Sequence, residues 1–500
     1  AEGNTKSNAT AGLYTGVYSA PDGVQYAGLP AGSTVKDSTG TDVELEALTW
    51  KAAEELTLKT TEELASVTNA KGTVNFASLS DAIAAAADGD TVTLLKSCSG
   101  DGIVIPAGKF NDKGLIVEFN NYSYTVGGVL VGSTGTKSNA FQLNKDNTII
   151  FQTGKIYGDA AVAGDELTNW TGAPAIMLQN YSNLTLKNME VVGGEQTVYT
   201  MSNNNGNVLI EDSIITAGKA EGYTSPAFAF DACGFGSYVG PTVTVKNSTI
   251  NGDIEISYDT ANEHNVSLSL ETGTTISGKL VAGDNAEKVT VTKSNNVTLA
   301  APSGYKWVDG TLTKITYVAK VGMGKEFTSL QEAINYAEGD NDTVTLLADT
   351  TEDVVINKDI TLDLGGKTLT NTNAGKATIS VTSGTVTVKN GNVVGGTSYY
   401  NIEVTKGSNA NLTLEGVTAT AGNTGSSMID NWGTLTITSG TYTGGLNVVK
   451  SEEGSKLTIT GGTFTLEYAT NGYTGVVFAY GDTTISGGEF IQNLTTTGRW

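Results

Sequence analysis

The chain has 500 residues and a net charge of −23, with 62 Gly, 7 Pro, one His and one Arg. That length exceeds one ordinary domain and predicts two or three units. The acidity excludes a phosphate-binding nucleic-acid surface and an anionic membrane surface, and with only His264 and Arg499 most acid–base or oxyanion chemistry that uses those side chains is excluded as well.

Residues 1–70 do not share the repeating pattern of the rest of the chain. "AGLYTGVYSAPDGVQYAGLPAG" reads as extended and turn-rich, and "LTWKAAEELTLKTTEELASV" carries acidic, helix-compatible stretches around Trp50. The segment is expected to cover the first unit or to dock on a neighbouring molecule as a donated strand. The start "AEGNTKSNAT" reads as a mature end left after cleavage, which predicts secretion. No run of about 18 apolar residues is present, so no transmembrane helix is expected. Cys98 and Cys233 form no CxxC pair. One disulfide and two separate buried thiols both stay open, and the compartment is not fixed by cysteine.

"FASLSDAIAAAADGDTVTLL" begins at Phe76, and "FTSLQEAINYAEGDNDTVTLL" at Phe327. Each starts with a capping box: Ser78 three residues before Asp81, and Ser329 three before Glu332. Leu79, Ala82, Ile83 and Ala86 then fall at helical spacing, as do Leu330, Ala333, Ile334 and Ala337. The prediction is two amphipathic helices of about ten residues, ended by Gly89 and Gly339, each followed by an alternating strand. Neither helix carries groups that do chemistry, so both read as caps.

Between and after the helices a phrase of two short strands recurs. It starts at Leu184, Val208, Val243 and Leu268, then at Val386, Leu412, Leu435 and Leu457, with a weaker copy at Thr483. The spacings are 24, 35 and 25 in the first set and 26, 23, 22 and 26 in the second. Apolar residues alternate with Thr, Lys and Glu, and Asn or Gly marks the turns. A unit of this size cannot bury its own apolar face, so stacking is predicted: an all-β chain of two tandem right-handed parallel β-helices (solenoids). Residues 71–300 form the first and 326–500 the second, with 301–325 as linker. An antiparallel sandwich competes, but its Asn-Gly hairpin signals do not organise the pattern.

The 35-residue gap holds "KAEGYTSPAFAFDACGFGSYVG". As an emergent loop it offers Tyr223, Phe228, Phe230, Asp231, Phe235 and Tyr238 as a binding face; as a widened repeat it stacks those rings inside.

The wording "SLxxAIxxAxxGDTVTLL", "ITLDLGGKTLT" at Ile360, "GTVTVKNGNVVGG" at Gly384 and the join from Ala301 resemble the right-handed β-helix (pectate-lyase-like) repeat modules of large bacterial cell-surface proteins. The resemblance covers roughly residues 70–500. It implies an extracellular structural protein, a fibre or surface-layer subunit or an adhesin, with self-association and glycans as expected partners. Nucleic-acid partners, membrane insertion and a cofactor are not expected, and calcium only as weak surface binding.

A polysaccharide-active β-helix is the alternative. Lys187 and Lys246 hold matching positions suited to a lyase base, but Lys389 repeats them, which marks construction. Glu211, Asp212, Asp231, Asp253 and Glu255 lie in neighbouring repeats and could supply a pair of carboxylates. The reading is non-enzymatic, with no catalytic or metal residue assigned.

Overall fold

The computed structural model describes residues 62–132, 137–158, 173–259, 261, 264–339, 342–371, 373–467 and 474–493, together with the backbone of four short strands at 16–18, 34–36, 42–43 and 56–59. Those four pair antiparallel in a sheet of their own. Trp50, Arg499 and most of the segment 1–70 lie outside the described residues. The chain divides into two compact units, Ala1–Lys314 and Ile315–Trp500. Both are nearly all β and dominated by parallel pairing, and among the described residues there are two α-helices.

In the first unit, one parallel ladder runs through Thr91–Leu94, Leu115–Glu118, Thr148–Tyr157, Asn183–Val192, Asn207–Glu211, Thr242–Lys246, Val266–Leu270 and Val289–Lys293. A second sheet of seven parallel strands runs from Ile103–Ile105 through Phe228–Gly234 to Leu280–Ala282. The repeat spacing becomes register. Leu184 sits opposite Val208, Val208 opposite Val243, and Val243 opposite Leu268. All four are buried, and each contributes about 1.5–3 kcal/mol by leaving water. The Lys-Asn and Glu-Asp pairs that come next turn the chain: Asn188, Asp212 and Asn247 all have positive φ. Gly273 continues that column at φ +83, where a Cβ would also meet Asn247 Oδ1 at 2.7 Å.

The second unit repeats the plan. Val386, Leu412, Leu435, Leu457 and Thr483 stand in consecutive register. Tyr442, Phe464 and Phe490 stack at 5.0 Å between successive rings, and six parallel strands, Val354–Ile356 to Val477–Ala479, form the other sheet.

Helix α1 spans Leu79–Ala85 and α2 spans Leu330–Tyr336. Leu79, Ala82 and Ile83 are buried, as are Leu330, Ala333 and Ile334. Each helix has seven residues rather than ten. Ala86 and Ala337 are already non-helical and act as C-caps, so the chain leaves helix before Gly89 and Gly339 are reached. The capping boxes are only half formed. The Asp81 and Glu332 amides donate to the Ser78 and Ser329 hydroxyls at 3.0 and 3.2 Å. The Asp81 carboxylate accepts from the Ser78 hydroxyl at 2.8 Å instead of reaching the backbone, because its side chain is one methylene shorter than Glu. At α2 the reciprocal part belongs to Glu352, which accepts from the Ser329 hydroxyl at 2.6 Å and from the Leu330 and Gln331 amides at 2.8 and 3.0 Å.

Neither helix has a basic residue in its last turn. A lysine from the next repeat supplies the charge. Lys109 Nζ donates to Ile83 O and Ala84 O at 2.8 and 2.6 Å, and Lys358 Nζ to Asn335 O and Ala337 O at 3.0 and 2.7 Å. This satisfies carbonyls the helix cannot pair and opposes the negative end of its dipole.

Antiparallel hairpins accompany both helices. Ala65–Asn69 pairs with Gly72–Phe76 and with Thr91–Leu94, while Ala319–Val321 pairs with Glu326–Phe327 and Asp342–Leu346. Within the stretch read as linker, Tyr305–Val308 and Thr311–Lys314 form a further hairpin that meets the last parallel strand at Thr292. Trp307, Tyr305 and Leu312 pack on the first unit's core, and the Trp307 indole donates to Leu299 O at 2.8 Å. Apolar residues in that stretch favour covering the end of a core over staying in water.

Candidate functional site

The first-unit carboxylates separate into two groups. Glu211 stands on the outer face of the large sheet, in register between Lys187 and Lys246, and pairs with both at 3.5 and 3.0 Å. The hydrogen bond from Lys246 holds its carboxyl below the usual range. The second unit inverts the signs: Lys389 stands between Asp363 and Glu415 and pairs with Asp363 at 3.8 Å. Alternating charge along a ladder favours this register, since a slip would separate the opposite charges. Lys187, Lys246 and Glu211 are thus engaged in pairing.

Asp231 and Glu255 sit elsewhere, in register on the seven-stranded sheet, with Cys233 two residues beyond Asp231. One ligand atom from each of the three lies within 4.8 Å of the others. The donor set resembles a mixed oxygen–sulfur metal site in type. Its environment is that of a buried, hydrogen-bonded cluster. Asp231 is 4 % exposed. It accepts from the Asn203 amide at 2.5 Å and from the Ser202 hydroxyl at 3.1 Å. The Ser257 hydroxyl bonds Cys233 Sγ at 2.8 Å, and the Tyr199 hydroxyl donates to Glu255 at 2.6 Å. Burial pushes the Asp231 carboxyl and the Cys233 thiol well up, toward their neutral forms. Both Asp231 oxygens thus have partners within the protein. Asp212 bonds the Asn247 amide, and Asp253 accepts from the Lys279 amide, so both hold turns.

The loop residues divide as well. Phe228, Phe230 and Asp231 belong to the strand Phe228–Gly234 and are buried, with Phe228 stacked on Tyr199 at 5.2 Å. Tyr238 packs on Tyr181 at 5.0 Å. Tyr223 and Phe235 remain exposed, at 49 % and 55 %. The insertion therefore combines both readings: its middle widens a repeat and its flanks emerge. Cys98 and Cys233 are not joined in a disulfide. His264 is exposed and lies outside the Asp231–Cys233–Glu255 cluster. Among the described residues no helix is long and apolar enough to cross a membrane.

Glu352, Lys109 and Lys358 carry structural roles that sequence reasoning missed. Each acts across a repeat, 21 to 26 residues from its partners, so no local motif contains it. Searches against family models, curated proteins and solved structures gave no match to this chain.

Proposed function

We propose that the protein is an extracellular structural component of a bacterial cell surface, a fibre or surface-layer subunit or an adhesin. In this reading it is built as two tandem right-handed parallel β-helices, each opened by a capping helix and hairpin, and it associates with copies of itself. One observation carries the reading. Each set of repeated phrases stands in one consecutive register, and the polar groups on the ladders are spent on ion pairs and turn contacts that hold that register. A chain organised in this way resists extension through stacked hydrogen bonds.

Electron microscopy of the purified full chain tests the proposal. Fibres, sheets or chains of particles are expected as concentration rises. Uniform monomers at high concentration would overturn the self-association.

A further inference from the structure

One face of the second unit is a grid of threonines. The buried column Leu369, Val393, Ala419, Tyr442 and Phe464 runs through successive parallel strands and ends on Phe490. Alternation sends the residues on either side of that column outward, in two rows. One row reads Thr368, Asn392, Thr418, Thr441, Thr463 and Glu489, and the other Thr370, Val394, Thr420, Thr443, Thr465 and Ile491. Four of the six strands thus present Thr-x-Thr, and Val394 has the shape of threonine with a methyl in place of the hydroxyl. The pairing steps one residue to one residue throughout.

The protein does not use these hydroxyls. Thr368 accepts from the Asn392 amide at 3.4 Å; the other threonine hydroxyls of the grid have no hydrogen-bond partner among the described residues, and all are half-buried or exposed. The strand preference of threonine does not by itself explain the grid, because other outward rows are built differently. The equivalent rows of the first unit include Lys155, Tyr157 and Glu190. On the large sheet of the second unit a row of seven threonines, Thr343 to Thr484, runs beside Asp363, Lys389 and Glu415. The outer row of the six-stranded sheet is Glu403, Asp430, Lys450 and Phe478. On a chain of net charge −23, both rows of the grid are free of charge from Thr368 to Thr465, and charge returns at its borders, at Lys367, Glu467 and Glu489.

We propose that this face binds ice. Neighbouring strands lie about 4.8 Å apart and alternate residues of one strand about 6.6 Å apart, so methyls and hydroxyls repeat in two directions. The shorter spacing is within a few tenths of an ångström of the oxygen repeat along the a axis of hexagonal ice. The longer is within an ångström of the repeat along the c axis, a difference that side chains leaning along the strand absorb. A periodic grid selects a periodic ligand. Unpaired hydroxyls continue a lattice of hydrogen-bonded water, and methyls restrict the orientations of the water between them. Charged groups, which hold water in strong hydration shells of their own, are kept out of the grid. The spacing is fixed in advance by the fully buried Val393, Ala419, Tyr442 and Phe464 beneath it, so binding costs little ordering of the protein. The proposal is independent of assembly, because a strictly monomeric protein would leave it intact.

Osmometry on single ice crystals, with fluorescently labelled full-length protein, tests it. Shaped crystals, a freezing point held below the melting point and a labelled ice surface are expected. Thr441→Lys and Thr418→Lys, both at exposed positions, should each remove most of the freezing-point gap. Thr249→Lys, on the first unit, should leave it unchanged. Unchanged melting curves verify that the variants fold, and Thr441→Val, which keeps the shape and removes one hydroxyl, should retain most of the activity. Capture on microcrystalline cellulose or chitin and sedimentation of the same samples test the other occupants. Ice that grows unshaped and unlabelled, or activity that survives both lysine variants, would overturn the proposal. So would a polymer contact or a dimer that Thr441→Lys breaks in a protein without ice activity, since the grid would then belong to that partner.

Discussion

Asp430 shows how far a single residue can depart from what its neighbours in sequence suggest. Nothing in "MIDNWG" marks its acid as buried. In the fold, burial pushes its carboxyl from 3.8 up to about 6, with a smaller opposing effect from the Trp432 indole and contributions from Glu452, Lys450 and Glu403. The proton-bound form is the one the fold favours. Its contribution to stability is complete below the unfolded value near 4 and is lost as pH rises through about 6. Asp430→Asn should therefore flatten the pH dependence of urea unfolding of the second unit between about pH 4 and 7, and stabilise it at pH 7 by about 1–2 kcal/mol after allowance for partial solvent screening. A second residue-scale test concerns the lysines that close the helices. Lys358→Met keeps the aliphatic stem and removes the donor to Asn335 O and Ala337 O, and should cost about 1 kcal/mol in unfolding experiments.

At the scale of elements, α2 depends on one distant carboxylate. Glu352→Ala leaves the Ser329 hydroxyl and the Leu330 and Gln331 amides without their acceptor. A loss of about 1–3 kcal/mol is expected, with hydrogen exchange at Leu330 and Gln331 accelerating before that of the parallel ladder. The aromatic column behaves differently. Phe464 lies between Tyr442 and Phe490 and is fully buried, so Phe464→Ala opens a cavity and should cost about 3–5 kcal/mol in urea unfolding. The elements also mark the limit of what the residues disclose. Five-residue strands such as Thr242–Lys246 announce themselves through alternation, and their spacing translates directly into register. The strands of the six-stranded sheet have three residues each, as in Ile402–Val404, and so carry one outward position apiece. One position makes no pattern, which is why the Glu403–Asp430–Lys450–Phe478 row is invisible in the sequence. The helix ends are misleading for a related reason: glycine looks like the stop, but the non-helical backbone at Ala86 and Ala337 precedes it.

For the whole molecule, the period should act as the unit of change. Deleting Asn411–Gly433 from the second unit removes one period and brings Thr385 against Thr434, which is the pairing Asn411 now makes with both. Such a protein should keep its β circular dichroism and cooperative melt at somewhat lower stability. Deleting half that length should abolish the cooperative melt, because it sets polar residues against the apolar row. The stacking itself is legible in the sequence, as Val386, Leu412, Leu435 and Leu457 stand in consecutive register. The treatment of the ends is not. The hairpin at Tyr305–Lys314 looks like a connector because Gly and Pro dominate its start, and its role depends on a core that only the fold assembles.

The lysine closures of the two helices also bear on timing. Lys109 comes 26 residues after Ile83 and Lys358 comes 21 after Ala337. During synthesis at about 5–20 residues per second, each helix waits on the order of seconds for the cation that secures its end, whereas helix formation takes about a microsecond or less. The cap thus forms provisionally, and becomes fixed only when the repeat beneath it has left the ribosome. A lid that locks after its contents have arrived leaves the growing end free to reorder until there is something to close over.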